Sequence, residues 1–158
     1  MKLSCDVLKI NRFDKFFNFT HAISPRYFIN EKGNLEQYEF AIDNNFKKKS
    51  NHIRRFMKTA GIKNKNPYFL NQVHSDQIYT LDDIFKTQDE VSKISADVLI
   101  TNLNEVPIGV FTADCVPILL YDFRLHVVAA IHAGRKGTQE NIVKKTVIVM
   151  SRVYGCQP

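Results

Sequence analysis

Three short segments hold the side chains best suited to chemistry: Asn71-Gln72-Val73-His74, Thr112-Ala113-Asp114-Cys115-Val116-Pro117, and Ile131-His132-Ala133-Gly134-Arg135-Lys136-Gly137. Each supplies one zinc-competent group: His74, Cys115 or His132. Two imidazoles and a thiolate are one ligand short of a closed tetrahedral zinc shell. Structural sites fill the fourth position with protein, whereas catalytic sites leave it to water or substrate. The intervals of 41 residues from His74 to Cys115 and 17 from Cys115 to His132 are not those of a zinc finger. Spacing alone therefore leaves two metal-free readings open. Cys115 could be a small buried hydrophobe beside a turn aspartate, or a nucleophile of a cysteine hydrolase or deamidase with His132 or His74 as base.

The neighbours of these residues add detail. Pro117 cannot donate a ladder hydrogen bond, so it marks an edge, a bulge or a strand start. A bulge there would re-aim Asp114 and Cys115. Asp114 is the candidate proton shuttle, next to Cys115 in the chain. His132 ends the apolar run Val127–Ile131, and Gly134, Gly137 and a helix starting near Thr138 follow. Glycines let backbone amides approach a ligand, and a helix start favours an anion. Arg135 and Lys136 add two cations, so Gly134, Arg135, Lys136 and Gly137 form a candidate phosphate-binding turn. His21, His52 and His126 have no such context and read as structural. Cys5 and Cys156, close to the termini, read as surface or lightly buried thiols.

Elements must hold these segments in place. A first helix is expected from Ser50, its cap, to Ala60, with Ile53, Phe56, Met57 and Ala60 as its apolar stripe and Gly61 after its end. Short strands are expected at Val7–Phe13, Phe16–Phe19, Tyr68–Leu70, Gln77–Leu81, Asp97–Thr101, Ile108–Phe111, Val116–Tyr121 and Val127–Ile131. A loop runs through Pro25 and Glu31-Lys32-Gly33-Asn34. Asn102–Pro107 reads as a turn, and Asp122-Phe123-Arg124 as the turn of a hairpin. The runs are nearly continuous in apolar character, which predicts cover on both sheet faces. A second helix is expected from Thr138 to Tyr154, burying Ile142, Val143, Thr146, Val147, Met150 and Val153 and ending at Gly155.

Bulk properties exclude several classes. A chain of 158 residues suggests one domain with a real core, and a hydrophobic fraction of 44% argues against general disorder. No apolar stretch approaches the roughly 20 residues that span a bilayer, and Met1–Asp6 lacks a signal-peptide core, so a cytoplasmic protein without membrane contact is expected. Three widely spaced cysteines fit a reducing compartment. The net charge of +6 is uneven: residues 1–66 carry 14 Lys/Arg against 6 Asp/Glu, and residues 67–158 carry 8 against 10. Lys47-Lys48-Lys49 with Arg54-Arg55 could attract phosphate or nucleic acid, but reads more simply as a solvated helix face. Without an RNA-binding motif, zinc-finger spacing or Walker loop, a basic binding module is the non-catalytic alternative.

Together, Gln72-Val73-His74, Ser95-Ala96-Asp97-Val98-Leu99-Ile100-Thr101, Thr112-Ala113-Asp114-Cys115-Val116-Pro117-Ile118-Leu119-Leu120 and His132-Ala133-Gly134 closely resemble the laccase-domain family, once called multicopper polyphenol oxidase-like and now regarded as purine nucleoside phosphorylases. The resemblance covers roughly residues 68–155. It implies zinc held by His74, Cys115 and His132; Cys115, Asp114 and His132 are the candidate catalytic residues. It implies phosphorolysis of adenosine, inosine, guanosine and methylthioadenosine, with some adenosine deamination, so the partners are a purine nucleoside and phosphate. The implied fold is α/β (α+β), with mixed β-sheets in a sandwich-like core flanked by helices. Copper-dependent phenol oxidation is the weaker reading, because the additional histidine clusters of a multicopper centre are missing.

Three departures stand out. Arg135 replaces the Trp of the family pattern His-Ala-Gly-Trp-Arg-Gly, so an aromatic platform is lost and a cation gained. The family's N-terminal Arg and Gly-Gly-Val-Ser are not recoverable from Thr20-His21-Ala22-Ile23-Ser24-Pro25. The family pattern continues into a further strand and a second cysteine-bearing region, so a C-terminally shortened domain is expected, with an open edge that an oligomer would cover.

Overall fold

The computed structural model describes residues 7–40, 46–64, 66–83 and 85–158, with 46–50 described by backbone only. Cys5 and the side chains of Lys47–Lys49 lie outside the described residues. The chain divides into two compact units, Met1–Lys65 and Asn66–Pro158. The content is mixed α and β, with helices and a mixed sheet. Among the described residues no helix is long and apolar enough to cross a membrane.

In the first unit, β1 (Tyr27–Ile29) and β2 (Leu35–Gln37) form an antiparallel hairpin. Its turn is the expected Glu31–Asn34 loop. The Asn30 side chain accepts from the backbone N–H groups of Lys32 and Asn34, and Gly33 takes the left-handed conformation the turn needs. The flanking strands were not legible, because three residues are too few to show alternation. Val7–Phe13 and Phe16–Phe19 are not strands. Leu8 makes one bridge to Ile23, residues 11–13 form a 3₁₀ turn, and Phe16–Phe19 is turn. Phe13 and Phe19 instead pack edge-on, 5.0 Å apart.

Helix α1 (Phe46–Thr59) begins one turn earlier than Ser50, so Ser50 is inside the helix and is not its cap. Nothing in Phe46–Lys49 breaks a helix, and lysine favours one. Met57 and Ala60 are buried as the stripe requires, and Gly61 is left-handed. His52 is buried, accepts the backbone N–H of Glu39, and meets Phe28 edge-on. His21 accepts the N–H of Ile10. Both are thus engaged in packing. Arg55 lies over the Phe28 ring and donates to the Ile29 carbonyl, so half of the Arg54-Arg55 pair is engaged in packing.

The second unit is built on a four-stranded sheet of order β3-β4-β6-β5, comprising β3 (Ile78–Thr80), β4 (Val98–Thr101), β5 (Val116–Asp122) and β6 (Val127–Ala133). β3 and β4 run parallel, and β4, β6 and β5 run antiparallel in turn. A short helix α2 (Gln88–Val91) lies between β3 and β4, opened by a reciprocal Thr87–Glu90 capping box. β4 is buried along its whole length, as its unbroken apolar run predicts. Val98 and Ile100 pack with Ala129, Ile131, Ile142 and Met150, whereas Leu99 faces the opposite cluster of Tyr68, Leu70, Leu81 and Val91.

Tyr68–Leu70 and Ile108–Phe111 are not strands; they share one parallel bridge, Tyr68 to Ile108. The expected second helix is two. α3 (Arg135–Gln139) starts before Thr138, and Asn141 turns left-handed (φ 59°) before α4 (Ile142–Tyr154). Asparagine tolerates that conformation, so a sequence reading sees no break there. Ile142, Thr146 and Met150 form the buried face of α4, while Val153 is exposed. Gly155 ends it as expected.

The β5–β6 hairpin turns where expected, around Asp122. Burial pushes the Asp122 carboxyl up, but the backbone N–H groups of Leu125 and Arg124 and the Cys156 thiol outweigh it and bring it below the usual carboxylate range. Cys156 is buried beneath this turn, and burial, then Asp122, push its thiol up. A carboxyl depressed by folding contributes stability above its unfolded value of about 3.9 and loses it as pH falls through the lower folded value. Urea midpoints of the wild-type chain should therefore drop as pH falls below about 4, and Asp122→Asn should flatten that part of the profile. An unchanged slope in the variant would assign the acid sensitivity elsewhere.

Candidate metal centre

Strand register brings the three chemistry-bearing segments to one end of the sheet. β3 and β4 start there, with Ile78 opposite Val98. β6 runs the other way and finishes there, with Ile131 opposite Val98. β5 starts there, with Val116 opposite Ala133. His74 lies just before β3, Cys115 just before β5, and His132 near the end of β6. Three residues spread over 59 positions thus meet because antiparallel and parallel pairings place their strand ends together.

The ligand atoms of His74, Cys115 and His132 all lie within 4.8 Å of one another. A tetrahedral zinc bound at about 2.0–2.3 Å holds its ligand atoms about 3.5 Å apart, so the cup closes on an ion by shifts of about 1 Å. The two imidazoles meet at 80°, with centroids 4.8 Å apart. Gly134 forms one wall. A Cβ there would lie 3.1 Å from Cδ2 of His74, 3.4 Å from Sγ of Cys115 and 3.8 Å from Cε1 of His132. The cup grades from buried His132 through half-buried Cys115 to exposed His74, so it opens to solvent on the His74 side. The donor set, size and opening fit a divalent ion with a vacant position. Among the described residues this is the one such group of three or more His, Cys, Asp or Glu side chains.

Asp97 organises the cup. It is fully buried at the head of β4. Its carboxylate accepts from the backbone N–H groups of Val73 (3.3 Å), His74 (3.0 Å) and Ser75 (2.6 Å), and from the Ser75 hydroxyl at 2.7 Å. It also contacts Nδ1 of His132 at 2.7 Å. Burial pushes its carboxyl up, but hydrogen bonds from His132 and Ser75 and from the Ser75 and Val73 amides outweigh that and hold it low. An ionised Asp97 makes Nδ1 the protonated nitrogen of His132 and leaves Nε2 free as ligand or base. It also holds His74 in a left-handed conformation, φ 58°, that a non-glycine residue adopts only when its surroundings impose it.

Three further ties complete the frame. The Gln72 side chain donates to the Phe111 carbonyl (2.8 Å) and accepts the Phe111 N–H (2.7 Å). Gly137 lets α3 approach the His74 loop, since a Cβ there would stand 2.8 Å from the Ser75 carbonyl oxygen. Asp76 pairs with Lys145 of α4, whose hydrogen bond lowers the Asp76 carboxyl.

The remaining sequence candidates are placed as follows. Asp114 is exposed, and its carboxylate does not join the clustered atoms. Arg135 and Lys136 are exposed on the first turn of α3, while Gly134 and Gly137 are buried. His126, left-handed in the β5–β6 turn, contacts the Tyr121 hydroxyl at 2.9 Å. Asp97 and Gln72 lie inside the motifs read from sequence but were given no role there, and Ser75 was given none. The available signal was a carboxylate at the head of an otherwise apolar strand, which burial alone would forbid.

Known proteins similar to this chain fall in one family. The family model described as multi-copper polyphenol oxidoreductase laccase matches residues 31–158. A purine nucleoside phosphorylase of Clostridium acetobutylicum is 44% identical over 90 residues, covering 57% of this chain and 36% of the relative. Adenosine deaminase RL5, from an unknown prokaryotic organism, is 41% identical over 85 residues, covering 51% of this chain and 32% of the relative. The crystal structure of Bacillus licheniformis hypothetical protein YfiH superimposes with a TM-score of 0.58 at 25% identity, over 68% of this chain and 42% of that one. YlmD from Geobacillus stearothermophilus shares the fold with a TM-score of 0.56 at 23% identity, over 66% of this chain and 40% of that one. The chain thus spans about a third of the length of these curated relatives.

The contrast between the two aspartates is testable. Asp97→Ala strands several buried donors and should cost about 3 kcal/mol of unfolding free energy, measured by urea denaturation. Asp76→Ala removes a partly exposed, solvent-screened pair and should cost clearly less than Asp97→Ala. Equal costs would remove Asp97 from its organising role.

Proposed function

This chain belongs to the multi-copper polyphenol oxidoreductase laccase family, and on that premise we propose that it carries the zinc site of a purine nucleoside phosphorylase with adenosine deaminase activity. The observation that carries the reading is the convergence of His74, Cys115 and His132 within 4.8 Å. The names of the relatives, purine nucleoside phosphorylase and adenosine deaminase, support the substrate class. The family's copper name fits less well, since multicopper oxidation needs further histidine clusters beside this one.

His74, Cys115 and His132 would hold the zinc, which would supply Lewis-acid chemistry when bound. In phosphorolysis a phosphate oxygen attacks the ribose C1′, the C1′–N9 bond breaks, and the purine leaves with the bond electrons and takes up a proton. Arg135 and Lys136, exposed beside Gly134, balance the phosphate charge. In deamination, water adds at the purine C6 and ammonia leaves. Asp114, exposed and next to Cys115, carries the proton from water to the departing amine. Asp97 keeps His132 in one tautomer throughout. The substrates are adenosine, inosine, guanosine and methylthioadenosine.

One observation favours a second reading. Cys115, His132 and Asp97 stand in the order nucleophile, base and orienting carboxylate, the arrangement of a cysteine hydrolase or deamidase. Metal content separates the two. Purified chain should hold about one zinc per protomer, should release hypoxanthine from inosine only when phosphate is present, and should lose activity to a chelator. Cys115→Ala and His132→Ala should each abolish zinc and turnover together. Metal-free protein with rapid alkylation of Cys115 and no phosphate dependence would replace the zinc reading with the hydrolase.

A further inference from the structure

Cys115 is the least supported of the three ligands. His132 sits inside β6 with its ring fixed by Asp97, and His74 is fixed by the same carboxylate through its backbone N–H. Cys115 follows Thr112, Ala113 and Asp114, all exposed. Four residues of extended chain reach about 14 Å, so segment 112–115 needs an anchor at each end to present its thiol within 4.8 Å of two imidazoles. One anchor is Val116, paired with Ala133. The other is Phe111, whose N–H and C=O are both taken by the Gln72 side chain.

We propose that Gln72 is a positioning residue that sets the distance between Cys115 and the two histidines; this rests on the metal reading above. The carboxamide completes a rung of a parallel ladder that the backbone begins. Tyr68 donates to the Pro107 carbonyl, and Gly109 donates to the Tyr68 carbonyl. Beyond this point the 68–72 segment pairs on its other side: Asn71 donates to the Ile94 carbonyl, and Ala96 donates to the Asn71 carbonyl. The backbone of Asn71 is thus committed to the strand that leads into Asp97, and the Gln72 side chain makes the link to the Cys115 arm. Gln72 lies two residues from His74, so one residue couples His74, the Asp97 strand and the approach to Cys115. Phe111 presents one donor and one acceptor, which fixes the carboxamide orientation and leaves no equivalent for a carboxylate or thioether.

Cobalt(II) titration of the 158-residue chain tests this, because the thiolate-to-cobalt absorption in the near ultraviolet reports Cys115 separately from the histidines. Gln72→Met should weaken cobalt affinity about tenfold, the scale of outer-shell losses, and should diminish the thiolate band more than the visible ligand-field bands. Gln72→Glu keeps the acceptor for the Phe111 N–H but sets a carboxylate against its carbonyl, and it should show the same loss; it serves if the methionine variant fails to fold. Thr87→Ala, which removes the α2 cap away from the site, should lower stability and leave the spectrum unchanged. Wild-type affinity and thiolate band in the Gln72 variants would overturn the inference alone, as would an equal spectral change in Thr87→Ala. A wild-type chain that binds no cobalt would overturn the metal reading and this inference with it.

Discussion

A single ionised carboxylate, Asp97, determines how the rest of the site is arranged. Burying an isolated carboxylate in an apolar strand is prohibitive unless donors surround it. The donors here come from two separate parts of the chain: the 73–75 turn and the imidazole at 132. Satisfying Asp97 therefore forces the His74 loop and the His132 ring together, whether or not an ion is present. The groups that solvate this one charge are thus the same groups that place two of the three clustered side chains. Preorganisation of this kind removes part of the ordering cost that a ligand would otherwise meet.

That carboxylate can act as a fixed reference because β4 is rigid. β4 lies between β3 and β6 and is buried on both faces. Its neighbours fix register by side-chain size and by parity, since a one-residue slip would turn Leu99 and Ile100 to the wrong faces. Register then dictates that Asp97 stands opposite His132 and that β5 begins beside Ala133. Apolar packing in the middle of the sheet thus controls polar geometry at its end, and α4 closes the lower face through Ile142, Thr146 and Met150.

The three clustered side chains were legible in combination, through the family motifs that contain them, and each sits beside punctuation: Ser75-Asp76 after His74, Pro117 after Cys115, and Gly134 after His132. The central strands and the β5–β6 hairpin were legible for a related reason, as long apolar runs with a clear turn. The groups that hold the ligands were not legible. Asp97 and Gln72 act through partners 22 to 39 residues away, and no local pattern encodes such a pairing. The same limit explains the misread elements. The strands near Tyr68 and Ile108 reduce to one bridge because side chains, Gln72 above all, replace part of the backbone ladder. The break at Asn141 escaped notice because its residue type permits but does not demand φ > 0. Glycines 134 and 137 suggested a phosphate turn from sequence. In the structure both give up their side chains to close approach, one by the three ligands and one by the Ser75 carbonyl.

The ties that build the cup run between residues 68 and 145, all within the second compact unit. The cup is thus a local property of one sheet end, whereas discrimination of a purine nucleoside would need walls around the ligand as well. The one ring-bearing position that the family pattern offers at this turn is Arg135 here, exposed on α3. A guanidinium can still stack on a purine face, and unlike an indole it also pairs with phosphate. The substitution therefore exchanges an apolar stacking surface for a charged one. Binding at this turn should accordingly depend more on ionic strength than a Trp-bearing site would, because screening weakens exposed charge contacts and leaves stacking largely untouched.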